Sequence, residues 1–132
     1  MNRYLIDTDI CIWFLRGLPL VRERFRTAGY ANCTISEITL AELLFGAYRS
    51  ADPEKNLRRL DVLLADIAVL STSMAIDRFA REKARLFSQG TPVADFDLLI
   101  GATAVHHGLT LVTNNTKHFQ RIQGIQLEDW TI

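Results

Sequence analysis

The sequence has no net charge, since 15 Lys and Arg balance 15 Asp and Glu over 132 residues. That argues against a protein that grips nucleic acid by bulk charge alone, although an acidic centre offset by a basic rim stays open. Cysteine is scarce. Cys11 lies within Ile10-Cys11-Ile12 and Cys33 lies just before Ile35, with no zinc spacing, so both read as reduced, buried thiols. No uninterrupted apolar run is long enough to span a bilayer. Asp7 and Asp9 interrupt what would be the apolar region of a signal peptide. The expectation is a cytoplasmic protein without a membrane role. Repeats, low-complexity stretches and linkers are also missing. Apolar residues make up 48% of the chain, ample for a core, and the signature of disorder is absent. The chain therefore reads as one domain over residues 1–132.

What is there is an alternation of strands and helices. Tyr4-Leu5-Ile6 is a short apolar run that stops at Asp7, a buried strand. Ile10 to Leu15 is a short buried helix ended by Gly17 and Pro19, and Leu20, Val21 and Phe25 mark an amphipathic helix. Cys33-Thr34-Ile35 is the second strand, and Ser36 caps a helix running to about Tyr48. Leu57, Leu60, Leu63 and Leu64 give another helix after Pro53, and Ile67 to Leu70 is the third strand. Ser73 is the expected cap of a helix from Met74 to about Phe87. Asp95 is the expected cap of an almost wholly apolar helix, Phe96 to His107, closed by Gly108. Leu109 to Thr113 is a fourth strand, Thr116 to Arg121 a short helix, and Ile125 to Leu127 a last edge strand. This order predicts an α/β fold, a three-layer α/β/α sandwich around a mostly parallel sheet. The functional crevice of such a sheet lies beyond the carboxyl ends of its strands.

Carboxylates stand where that crevice should be. Asp7-Thr8-Asp9 ends the first strand, where helix capping is the plain alternative. Glu42 interrupts the apolar helix Ile38 to Ala47, and an ionised carboxylate there needs a partner, an arginine or a metal ion. Asp97 follows Asp95 at the start of its helix, where both also complement the helix dipole. Thr113-Asn114-Asn115 ends the fourth strand, though Asn-Asn is also a common turn pair. Brought together, the acids repel one another and tend to hold their protons. A hard divalent cation removes the conflict, and Mg²⁺ prefers carboxylate and water oxygens, few of them from protein.

At this point the chain resembles a known family. Tyr4-Leu5-Ile6-Asp7-Thr8-Asp9-Ile10 is similar to the start of PIN domains. Ser36 to Leu43, with Glu42, resembles their second motif, and Pro92 to Ala102, with Asp97, resembles the third. Leu111 to Phe119 resembles the fourth, and Leu127-Glu128-Asp129-Trp130 is common in the VapC toxin branch. The resemblance runs in order over essentially the whole chain. It implies a flavodoxin-like sandwich and metal-dependent hydrolysis of RNA, with Asp7, Glu42 and Asp97 as catalytic metal ligands for Mg²⁺, or Mn²⁺ in its place. Asp9, Asp95, Thr113 and Asn115 are candidates for support. Asn115 departs from the acid found in many relatives, which puts a second metal site in doubt. The resemblance also implies a cognate VapB-type antitoxin, a homodimer, and structured RNA such as tRNA as substrate.

A basic rim is expected from Arg78, Arg81 and Arg85 at helical spacing and from Lys117, His118 and Arg121 beside the fourth motif; a solvated face is the alternative. The histidines are not needed for catalysis in this reading, and His106 and His107 close a helix where cations are favoured. Trp13, Phe14, Leu18 and Leu44 are candidates for a partner-covered surface or for the core. Two other classes place acids after a first strand. A haloacid-dehalogenase-type phosphatase would use Asp7 as nucleophile, but Leu109 to Phe119 offers no acidic pair. A receiver-like signalling module needs an Asp ending the third strand, where Leu70 runs into Ser71-Thr72-Ser73.

Overall fold

A computed structural model describes residues 3–132. The strands are β1 (Tyr4–Ile6), β2 (Cys33–Ser36), β3 (Ala68–Leu70), β4 (Thr110–Val112) and β5 (Leu127–Glu128). They form one sheet in the order β3-β2-β1-β4-β5, and every pairing is parallel. The α-helices are α1 (Thr8–Leu15), α2 (Pro19–Ala28), α3 (Glu37–Tyr48), α4 (Pro53–Leu64), α5 (Ile76–Ser88), α6 (Asp95–His106) and α7 (Thr116–Phe119).

The three layers follow from strand alternation, because successive side chains point to opposite faces of a sheet. Ile6 and Val112 join Ile10, Cys11, Phe25, Leu60 and Trp130 in one core. Their neighbours Leu5 and Leu111 join Leu86, Leu98, Ile100 and Phe119 in the other. Both cysteines are buried and free. Among the described residues no helix is long and apolar enough to cross a membrane.

Several local boundaries differ from expectation by a residue or two, and four of the differences have a clear physical reason. Helix α1 starts at Thr8, before the apolar run, because the Asp7 carboxylate accepts the Thr8 N–H and caps it. Ser73 does not cap α5. It opens a turn of 3-10 helix, Ser73–Ala75, with its hydroxyl taken up by Ser71. Thr72, just before, is fastened to α3, since the Glu37 carboxylate accepts from both its N–H and its hydroxyl. Asp95 is the first residue of α6 rather than its cap, Ala94 stands at the cap, and the Asp95 carboxylate pairs with Lys83 at 2.9 Å. Strand β5 begins at Leu127 because Ile125 is still in a turn, donating to the Ile122 carbonyl after Gly124 at φ +80°.

Candidate active site

The strand order reverses direction between β1 and β4, the switch point where open parallel sheets place their crevice. Asp7 ends β1 there, and its own N–H continues the ladder to the Val112 carbonyl at 2.8 Å. Its carboxylate is buried, accepting the Thr8 N–H on one oxygen and the Thr113 hydroxyl, at 2.8 Å, on the other. These donors are neutral. Burial pushes the Asp7 carboxyl up to about 7, and the charges of Asp9 and, less, Asp97 add to the rise.

Asp9 sits two residues on, in the first turn of α1. One oxygen accepts the Ile10 N–H and the other the Asn114 N–H at 2.9 Å. Burial raises its pKa as well. Asn114 in turn donates to Thr131 and Asp129, tying the end of β4 to the segment after β5. Thr113, fully buried, also accepts the Asn115 N–H. Asn115 is exposed at the start of α7.

Glu42 comes to this end of the sheet from α3. Its partner is a hydroxyl rather than an arginine, since Thr8 donates to it at 2.5 Å and Thr39 lies 3.2 Å from the same Thr8 oxygen. Asp97, half-buried on the first turn of α6, has the His118 Nε2 at 3.1 Å from its carboxylate. That approach lacks the alignment of a hydrogen bond, and the His118 Nε2 has no other partner. Thr8, Thr39 and His118 are roles that spacing alone did not reveal. The Thr8 signal was its place between two acids, and the His118 signal was its position three residues after Asn115.

Asp7, Asp9 and Asp97 therefore share one field, and Glu42 is linked to Asp7 through Thr8. Among the described residues no three His, Cys, Asp or Glu side chains converge in a ready-made metal cage. An all-oxygen donor set around a buried carboxylate given only neutral partners still fits Mg²⁺, which commonly binds through one or two carboxylates and keeps its waters. Asp95 points elsewhere, to Lys83.

The sequence and the fold match known proteins. The PIN domain family model covers residues 4–125. The chain belongs to the PIN domain family. Within that family it groups with VapC proteins. It is 40% identical to the tRNA(fMet)-specific endonuclease VapC of Shigella flexneri, over 99% of this chain and 100% of the relative. It is 34% identical to ribonuclease VapC2 of Haemophilus influenzae, over 98% of this chain and 99% of the relative. The crystal structure of DNA-bound VapBC from Salmonella typhimurium superposes with a TM-score of 0.92 at 38% identity, covering 98% of this chain and 99% of that one. Neither the phosphatase nor the receiver reading finds support in these matches.

In this PIN domain the expected basic rim divides. Lys117 is exposed on α7, and Arg121 donates to the Pro92 carbonyl at 3.3 Å. Arg78, Arg81 and Arg85 instead line a hollow with Ala102, Val105 and His106, in the second half of α6. The expected partner surface also changes. Trp13 stays 38% exposed, whereas Phe14 packs on Phe25 at 4.6 Å and Leu18 and Leu44 pack against the core. Ile12, Phe45 and Tyr48 are exposed on the same helices, α1 and α3. A groove of about 270 Å³, with Glu42, Arg16 and Arg59 in its lining, lies between α1, α3 and α4.

Proposed function

We propose that this chain is a Mg²⁺-dependent endoribonuclease, the toxin of a type II toxin–antitoxin pair. In this reading it is cytoplasmic, works as a homodimer, and is restrained by a VapB-type antitoxin. Structured RNA, tRNA included, is its substrate class, in line with the Shigella relative's name. The observation that carries the reading is Asp7, a buried carboxylate at the sheet's switch point whose charged neighbours are other carboxylates.

In this mechanism Asp7 and Asp97 hold the cation, with Glu42 as a third candidate ligand. Bound Mg²⁺, or Mn²⁺ in its place, supplies positive charge at the scissile phosphate and acidifies water. Thr113 and Thr8 fix the two Asp7 oxygens, so that the carboxylate keeps one orientation. Glu42, steadied by Thr8, or Asp97 accepts the proton of the attacking water. The water attacks in line, the ribose 3′ oxygen leaves, and the product carries a 5′ phosphate. The groove beside Glu42 and the exposed Ile12 and Trp13 leave apolar surface that an antitoxin segment would cover, which supports the reading.

Purified protein should cut RNA with Mg²⁺ or Mn²⁺ and stop with EDTA. Asp97→Asn should be folded and inactive. A folded Asp97→Asn protein with full activity would overturn the site assignment. Recovery of the native protein with no bound partner, together with harmless expression, would overturn the toxin reading while leaving the nuclease standing.

A further inference from the structure

A hollow of about 640 Å³ opens between α5, the second half of α6 and the turn through Gly124. It is within the size range of ligand sites. At 1.5 Å per helical residue, its α6 lining, from Ala102 to His106, is centred about 10 Å along the helix from Asp97. It is therefore a separate place from the carboxylates.

Its walls are fastened. Glu82, 8% exposed, accepts the Gln123 N–H at 2.5 Å and two N–H groups of Arg85 at 2.6 and 2.9 Å. Arg85 also donates to the Arg121 carbonyl at 2.9 Å. This pair locks α5 to the turn and neutralises itself, so Arg85 builds the wall and is not free to hold a ligand. The floor is apolar and buried, formed by Ala102 and Ile122 with Val105 beside them. Ile122 sinks low because Gly101 lacks a Cβ, which would stand 2.4 Å from its Cδ1.

The rim is cationic. Arg78 has no ion-pair partner among the described residues. Arg81 pairs only with Asp77, and both side chains are about four-fifths exposed, at 82% and 79%. Such a pair contributes little and exchanges readily. His106 completes the rim. An apolar floor under guanidinium groups matches a nucleotide, with the base on the floor and the phosphate on the planar donors.

We propose that this hollow is a second RNA subsite. It takes an unpaired nucleotide of the same RNA strand whose backbone is cut at the carboxylates. Arg78 and Arg81 hold the phosphate, and Ala102, Val105 and Ile122 receive the base. The inference rests on the ribonuclease reading. With stacked nucleotides rising about 3.4 Å each, roughly three separate the two places. A short RNA thus reaches one of them, and a longer RNA reaches both.

The test measures binding of end-labelled single-stranded RNAs, a trimer and a dodecamer, in EDTA, so that it reads out whether or not the protein cleaves. The Arg78→Ala/Arg81→Ala protein should bind the dodecamer at least roughly tenfold more weakly than wild type, since two charge-assisted contacts are lost. Its salt dependence should fall by about 0.7, the value for one phosphate contact on a single strand. The affinity gained on going from trimer to dodecamer should shrink accordingly. A Lys55→Ala/Arg58→Ala protein, altered on α4, controls for bulk charge. Equal dodecamer affinity in wild type and the Arg78/Arg81 variant overturns the proposal. So does an equal loss in the α4 control. Strand-length-dependent binding without any Mg²⁺-supported cleavage would instead sink the nuclease reading and leave the subsite.

Discussion

The protein leaves two carboxylates with nearly the same small exposure and treats them in opposite ways. Asp7 is 7% exposed and Glu82 is 8% exposed. Asp7 receives hydrogen bonds from an amide and a hydroxyl and is pushed up to about 7. Glu82 receives a two-pronged guanidinium from Arg85, and that contact holds its carboxyl below the usual value. Exposure alone therefore does not decide the outcome. What decides it is how far burial desolvates the carboxylate and whether the chain supplies a full positive charge of its own. On α5 it does, at a spacing of three residues, and the result is a fastener. At the end of β1 it does not, and under the proposed function a bound cation would supply the missing charge.

The comparison can be broken most severely through activity. Asp7→Asn keeps the shape and an acceptor for the Thr8 N–H but brings no charge. Cleavage should fall at least about a hundredfold, a loss of about 2.7 kcal/mol of barrier lowering. Circular dichroism should show an intact fold. A variant within a fewfold of wild-type rate would mean that Asp7 is not needed.

Next in size is the opposite cut. Glu82→Ala leaves Arg85 without its partner and frees the Gln123 N–H, so it should destabilise by about 3 kcal/mol in denaturant melts. The loss is set at the low end because Arg85 is about one-third exposed. A change below about 1 kcal/mol would show that the pair does not fasten the turn.

The third test reads the pH dependence of Asp7. Its carboxyl titrates at 3.8 ordinarily and at about 7 in the native state. Between those values the folded protein holds a proton that the unfolded chain has shed, so this group's effect on stability worsens as pH rises. The penalty is absent below about 4 and complete above about 7. In EDTA, Asp7→Asn should therefore gain on wild type in melting temperature from pH 4 to pH 8. Mg²⁺ should raise the wild-type melting point, by about 2.7 kcal/mol of stability at a hundredfold excess over its dissociation constant, and the variant's less. Equal metal responses would remove Asp7 from the ligands. A variant that melts much lower throughout would make it a structural cap.

The smallest expected effect belongs to Thr8→Val, which keeps the shape and removes the donor that steadies Glu42. Stability should change by about 1 kcal/mol or less. Cleavage should fall about tenfold, roughly 1.4 kcal/mol, with Thr8→Ser restoring it. Unchanged kinetics would make the Thr8–Glu42 contact incidental.

The sequence made the layers legible because apolar runs of strand length alternate with helical spacing, and Leu5 beside Ile6 already implied two faces. Asp7, Glu42 and Asp97 stood out because acids interrupted apolar segments. What stayed hidden was direction. Asp95 and Asp97 look equivalent on paper, yet two residues along a helix turn a side chain to a different face, and Asp95 meets Lys83. Arg78, Arg81 and Arg85 read as one stripe, yet Arg85 is consumed by Glu82. The Ser73 and Asp95 caps were misjudged because the chain bends before each helix, through a 3-10 turn in one case and Ala94 in the other. Contacts between distant segments, such as Asn114 with Thr131, carry no local signature.

That contact sets a timing. The Asp9 carboxylate is held by Asn114, Asn114 by Thr131, and Trp130 fills the core between Tyr4 and Phe25. Asp9 leaves the ribosome more than a hundred residues before these partners do. At roughly 5–20 residues per second, the interval is about 6–24 s. Until β4 has been made the central strand lacks that neighbour, and until Trp130 and Thr131 follow, Asp9 lacks the last of its supports. Under the proposed function the nascent chain would therefore have no assembled site until the last strand and the tryptophan behind it have closed the fold.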